Sequence, residues 1–123
     1  MSGKSLKWFG IGLILVTGII HFYDAPDAFG EATYKGILFA LNGIGVFVAA
    51  YGILRGAAWG WILGLLIAGG AIFAYVVSRT VGMPGLPIDD WLEPLGILSL
   101  VVEGLFVLPA IYALRVANKR NVT

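Results

Sequence analysis

The sequence predicts an all-α membrane protein, an antiparallel bundle of four transmembrane helices, and three observations predict it. The chain of 123 residues is 59% hydrophobic, with a mean hydropathy of +0.93. Charged residues make up 12%, against about 25% in soluble domains, so the polar coat that keeps a domain in water is missing. The apolar residues also fall into four blocks separated by short polar breaks. At a rise of 1.5 Å per residue, each block is near the roughly 20 residues that cross a bilayer core of about 30 Å. A single transmembrane domain over residues 1–123, embedded in a lipid bilayer, accounts for all three.

The first span is expected over about 6–23, ended by Asp24, Pro26 and Asp27. An acidic loop follows it with no small-residue cleavage site, so it reads as a retained helix and not as a signal peptide. The second runs over about 33–54 and stops at Arg55-Gly56. The third, about 59–79, begins at Trp59 and Trp61, which suits an interfacial aromatic belt. The segment 81–90, rich in glycine and proline, is non-helical. Asp90 stands three residues before Glu93, a capping-box-like start, with Pro94 in the first turn of a fourth span over about 91–114.

Charge placement predicts orientation. With four spans, Lys4, Lys7, Arg55, Arg115, Lys119 and Arg120 fall on one side, and Lys35 and Arg79 on the other. The positive-inside rule then places both termini in the cytoplasm of a plasma (inner) membrane. Six of the seven acids, Asp24, Asp27, Glu31, Asp89, Asp90 and Glu93, gather at the opposite face. They are either an ordinary solvated surface or a cation-attracting one. The seventh acid, Glu103, lies inside the fourth span.

Gly36-Ile37-Leu38 recurs as Gly96-Ile97-Leu98, and the same offset matches Ala50 with Ala110, Leu54 with Leu114 and Arg55 with Arg115. The match reads as one helical hairpin used twice in parallel orientation, or as coincidence among Gly, Leu and Ile. Under the first reading Asn42 and Glu103 occupy neighbouring positions of equivalent helices. Each stands 13 or 12 residues before its arginine, about 18–20 Å along a helix, which is mid-membrane.

Helical spacing assigns the inward faces. Gly96, Ser99 and Glu103 share one face of the fourth span, and Asn42, Ala49 and Gly52 one face of the second. Gly60, Gly64 and Ala68 form a small-residue stripe that lets a neighbouring helix approach closely. Gly10, Thr17, His21 and Asp24 share a stripe on the first. These four stripes are expected to face one another around a polar seam.

The chemistry is limited by what is absent. Without cysteine there are no disulfides, thiolate metal sites or Cys-X-X-Cys redox centres, and thiol-redox four-helix enzymes are excluded with them. No Ser/His/acid triad can be assembled, and no basic surface points to nucleic acid. Glu103 has three readings: a protonated carboxyl bonded to Asn42 or Ser99 for packing, a proton or cation site, or the partner of a base on another subunit. An ionised carboxylate without a countercharge is the costliest state at that depth, so the neutral acid is expected. His21 and Asp24 put two candidate ligands on adjacent turns, and Arg79 and Glu93 complete a conceivable outward site. One histidine is thin for zinc, copper or haem, so a hydrogen-bonded histidine at the outer interface is the plainer expectation.

The segments YVVSRTVGMPG, DDWLEPLGILSLVVE and HFYDAPDAF…YKGILFALN resemble a family of small uncharacterised prokaryotic four-span integral membrane proteins. The resemblance covers most of the chain. It implies four spans and marks His21, Arg79, Pro84, Glu93 and Glu103 as positions to test, and it implies no activity.

The expected function is that of a non-enzymatic small integral membrane protein, an accessory subunit or small binding module of a larger assembly, either with other membrane subunits or as a homo-oligomer. No cofactor is required. The rival readings are a proton or cation transporter using Glu103 and the outer acids, and a haem-, quinone- or pigment-binding protein with His21 as ligand.

Overall fold

The structure, a computed structural model, describes residues 3–122, with side chains through residue 117. Lys119 and Arg120, two of the basic residues used for orientation, lie outside the described side chains. Four helices follow one another: α1 (Gly3–Glu31), α2 (Thr33–Leu54), α3 (Ala58–Thr80) and α4 (Pro94–Val122). All four are long and apolar enough to cross a membrane. In lipid every backbone N–H and C=O must be satisfied within the chain, and helices do this segment by segment. The 22 and 23 residues of α2 and α3 make rods of about 33–35 Å, close to the hydrocarbon thickness. The outer faces of the helices carry bare apolar side chains such as Leu41, Leu66, Phe73 and Leu108, which need acyl chains around them.

The helices form a ring in chain order. α1 packs on α2 and α4, and α3 packs on α2 and α4; α1 barely touches α3 across one diagonal, and α2 and α4 do not meet across the other. The two ends differ. The terminal end carries the start of α1, the end of α4 and the α2–α3 turn. The acidic end carries the α1–α2 turn and the 81–93 segment.

The turns follow from local chemistry. At the α2–α3 turn, Gly56 has a positive φ of 73°. Its N–H bonds Ile53 O at 3.0 Å while Ala57 N–H bonds Gly52 O at 2.9 Å, the paired bonds of a Schellman close. The α1–α2 connection is a single extended residue, Ala32.

Three sequence expectations are corrected here. Pro26 does not end α1, which continues to Glu31. The last turns survive the missing N–H because Ala25 and Ala28 are buried and the Phe29 ring lies over Gly36 of α2. Trp61 is not a belt residue. It is buried, stacked on Phe106 with centroids 5.8 Å apart, and its ring fills the space beside Gly10; only Trp59 of the pair is exposed. Asp90 does not cap α4 either. Its Oδ1 accepts from Leu92 N–H at 3.0 Å, closing a local turn, and Pro94 opens the helix, where its missing N–H costs nothing.

The Gly60-Gly64-Ala68 stripe does bring helices together. A methyl on Gly60 would stand 2.5 Å from Gly52 C of α2, and one on Gly64 would stand 2.7 Å from the Phe106 ring of α4. Around these contacts Ile11, Ile14, Val46, Ala50, Ile53, Trp61, Ala68, Phe106 and Ala110 make one solid core. It occupies the terminal half of the bundle. The two hairpins also share a device at the acidic end: Phe29 covers Gly36 in one, and Tyr75 covers Gly96 in the other.

Candidate functional site

The acidic half of the bundle is hollow. A cavity of about 670 Å³ lies among all four helices, a volume in the range of roughly 300–1,000 Å³ typical of small-molecule sites. Its walls include Ile20, Phe39, Ile67, Ala71 and Ala74, and its rim includes Asp24, Asp27, Glu31, Lys35, Asp89 and Glu93. Exposed Leu38, Leu41, Leu66 and Gly70 border a side opening between α2 and α3. The small residues of α3 at this level leave that gap, since a methyl on Gly70 would meet nothing within 4 Å.

The floor is polar. Glu103 is 2% exposed and lines the cavity. Ser99, one turn away on the same face, is the hydrogen-bonding neighbour of its carboxyl, yet Glu103 Oε2 has no partner in the protein. The Oδ1 of Asn42 is likewise buried and unpartnered. The expected Asn42–Glu103 bond is therefore not made. The reason is topological: α2 and α4 sit on a diagonal of the ring, and the cavity lies between them.

Depth follows from the packing register. Phe106 lies at Gly64 and Ile67 reaches Gly45, which sets Glu103 near the level of residue 45, about one helical turn deeper than Asn42. Ten residues separate that level from Lys35, so the floor lies about 15 Å below the rim. Beneath it Phe106, Ile14 and Val46, each 0% exposed, close the cavity off from the terminal end.

His21 is deeper than an outer-interface histidine. Gly18 packs on Val46 and Phe22 on Gly43, and this register puts His21 beside the level of Asn42, on the cavity wall. Its Nδ1 is 2.8 Å from Thr17 O. A carbonyl only accepts, so Nδ1 carries the hydrogen and Nε2 is left as the acceptor of the neutral ring. The ring also lies 5.1 Å from that of Phe39. Asp24 shares the wall one turn above.

The rim is organised by two cations. Arg79, whose side chain is 9% exposed, lies 3.9 Å over the Tyr75 ring. It donates to Glu93 Oε2 at 3.1 Å and to Ser78 Oγ at 2.7 Å, and from Nε to Asp90 O at 3.2 Å. Gly96 is required beneath it, since a methyl there would stand 2.9 Å from Arg79 Nη2. Lys35 pairs with Glu31 and lies 3.5 Å from Asp89 Oδ2. Asp89 also approaches Arg79 Nη1 at 3.9 Å. One acid thus ties α2 to α3 through both cations. Tyr75 donates to Trp91 O at 2.7 Å, which fastens the 81–93 segment to α3.

All seven sequence-derived candidates, His21, Asp24, Asn42, Arg79, Glu93, Ser99 and Glu103, line this one cavity. Reasoning from sequence counted Lys35 and Asp89 only as charges of the outer face, without their pairing, and missed Tyr75. Lys35 carried a readable signal, the i, i+4 spacing from Glu31. Asp89 and Tyr75 carried none, because their partners come from other elements. The six acids against two bases at this end leave four negative charges in excess, and Asp24 and Asp27 are the two acids lining the hollow that form no ion pair with Lys35 or Arg79 among the described residues.

No family model, curated protein or solved structure matches the chain. The class defined by fold and site is that of a four-helix integral membrane protein with a polar-floored cavity, and functional reasoning rests on the cavity itself.

Proposed function

We propose that the chain is a non-enzymatic binding module of the membrane, an accessory subunit of a larger assembly, and that its site is the hollow half of the bundle. One observation carries this reading. Two residues that line the cavity, Asn42 and Glu103, each hold a buried oxygen, Asn42 Oδ1 and Glu103 Oε2, without a partner in the protein. Buried polar atoms are almost always satisfied, so these two are assigned to a ligand. Lys4, Lys7, Arg55 and Arg115 at the closed end support a cytoplasmic location for the termini and an outward-facing mouth.

The absence of cysteine makes thiol labelling the direct test. Ser99→Cys should react with a small, membrane-impermeant thiol reagent added from outside, whereas Ala110→Cys in the packed half should not. Gly30→Cys should label from outside and Gly3→Cys only from inside. An inert Ser99→Cys in protein that folds normally removes the cavity as a site.

A second reading, proton or cation transport, takes the same floor and is favoured by the carboxyl of Glu103. It requires the layer of Phe106, Ile14 and Val46 to open. Flux in proteoliposomes that Glu103→Gln abolishes would select it over a binding module.

A further inference from the structure

We infer that the cavity takes an aliphatic ammonium ion, a primary amine on a short apolar stem. This rests on the cavity being a binding site and names what it binds. The unused hydrogen-bonding atoms at the floor are both oxygens, one of an amide and one of a carboxyl, and the second is an acceptor once Glu103 ionises. The neutral ring of His21 adds a third acceptor on the wall, because its Nδ1 is committed to Thr17 O. A group that satisfies several acceptors around one cavity must bring several donors, and an ammonium brings three. Glu103, neutral in the free protein, gives up its proton when the ammonium enters, and the resulting carboxylate matches the charge in a bond stronger than a neutral one.

The rest of the cavity fits the same class. The two cations at the rim are held by Glu31, Asp89 and Glu93, so they are not free to bind an anion. Asp24 and Asp27 on the rim draw cations toward the mouth. Between rim and floor the wall is Ile20, Phe39, Ile67, Ala71 and Ala74, a lining for methylene groups and not for a hydrated metal ion.

The test uses the full-length protein in lipid nanodiscs and isothermal titration calorimetry at pH 7 with three probes: n-pentylammonium, its neutral isostere pentan-1-ol, and potassium. Pentylammonium should bind at least tenfold more tightly than pentanol, and potassium at equal ionic strength should not displace it. Glu103→Gln, which keeps the shape of the floor, should lose at least tenfold for pentylammonium and leave pentanol unchanged. Asn42→Leu removes one acceptor and no charge, so its loss should be smaller. Equal binding of pentanol and pentylammonium would overturn the ammonium assignment while leaving the cavity a binding site. Displacement by potassium would reassign the floor to inorganic cations. If no probe binds, the ammonium assignment falls; Ser99→Cys labelling then decides separately whether the cavity is a site at all. Should Glu103→Gln fail to fold, Asn42→Asp provides the second arm: an added charge at the floor should tighten pentylammonium binding, and an unchanged affinity would overturn the inference.

Discussion

The two halves of this bundle are built from the same four helices and differ in how their centres are filled. In the terminal half, glycines admit rings and backbones: Gly60 meets Gly52, Gly64 receives Phe106, and Gly10 makes room for Trp61. In the acidic half, rings cover Gly36 and Gly96 within each hairpin, but Gly70 faces open space, and an ion-pair chain links the helices at the rim. Dispersion and close packing hold the first half, which is consistent with the way helices associate in lipid. Charge and hydrogen bonds hold the second, where Lys35, Asp89, Arg79 and Glu93 link α2, α3 and the start of α4. The contrast teaches that the packing that anchors the fold and the site proposed for binding lie apart along the bundle axis. Substitutions below the floor should cost folding, and substitutions above it should cost binding.

The sharpest way to break this division is Gly60→Leu. Its neighbour is the backbone of Gly52 and Ile53, which cannot turn aside, so α2 and α3 should separate and the protein should lose its monodisperse peak in size-exclusion chromatography. A normally folded Gly60→Leu protein would show that the terminal half is not the structural anchor. Phe106→Ala comes next. It empties a fully buried ring site between Gly64 and Trp61, and should cost about 3–5 kcal/mol, read as a large drop in detergent melting temperature. Gly64→Leu strikes the same contact from the other side and should also destabilise, whereas Ile67→Leu conserves volume and should cost less than about 1.5 kcal/mol.

Effects in the acidic half should be smaller. Arg79→Ala removes a shielded guanidinium with partners on Ser78, Asp90 and Glu93, and should cost on the order of 1–3 kcal/mol. Arg79→Lys should recover only part of this, since an ammonium cannot reproduce the fork or the stacking on Tyr75. Full recovery by lysine would mean that charge alone matters at the rim. The smallest change in melting temperature is expected for Glu103→Gln, which keeps shape and an acceptor. The same variant sharpens the comparison through infrared spectroscopy. In the empty cavity no Lys or Arg reaches the floor, and a neutral acid is the less costly state, so a protonated-carboxyl band should vanish in Glu103→Gln. A difference spectrum with only carboxylate bands at pH 7 would show that the empty floor already holds a charge.

Much of the fold was legible because its signals are one-dimensional. Four apolar runs of membrane length, Gly56 after Arg55 and the glycine-rich break after Thr80 define the spans, and the second was placed at 33–54 as observed. Pro26 misled because its effect depends on what the following turns bury, and Phe29 over Gly36 is a contact between helices. Trp61 misled for a like reason. An indole at a span's end suits a membrane interface, but a glycine on α1 and a ring on α4 together made a slot for it.

By itself the sequence determined which residues share a helical face, and therefore that His21, Asp24, Asn42, Ser99 and Glu103 point inward. Periodicity along one helix suffices for that. Only the tertiary structure decided what those residues meet. The ring order of the helices places α2 and α4 on a diagonal, so Asn42 and Glu103 face a cavity instead of each other. The antiparallel register of α1 and α2 lowers His21 to the same cavity, and Asp89 joins Lys35 to Arg79 across two elements. Partners of this kind depend on the distances between helices, and no pattern along a single chain segment encodes those distances.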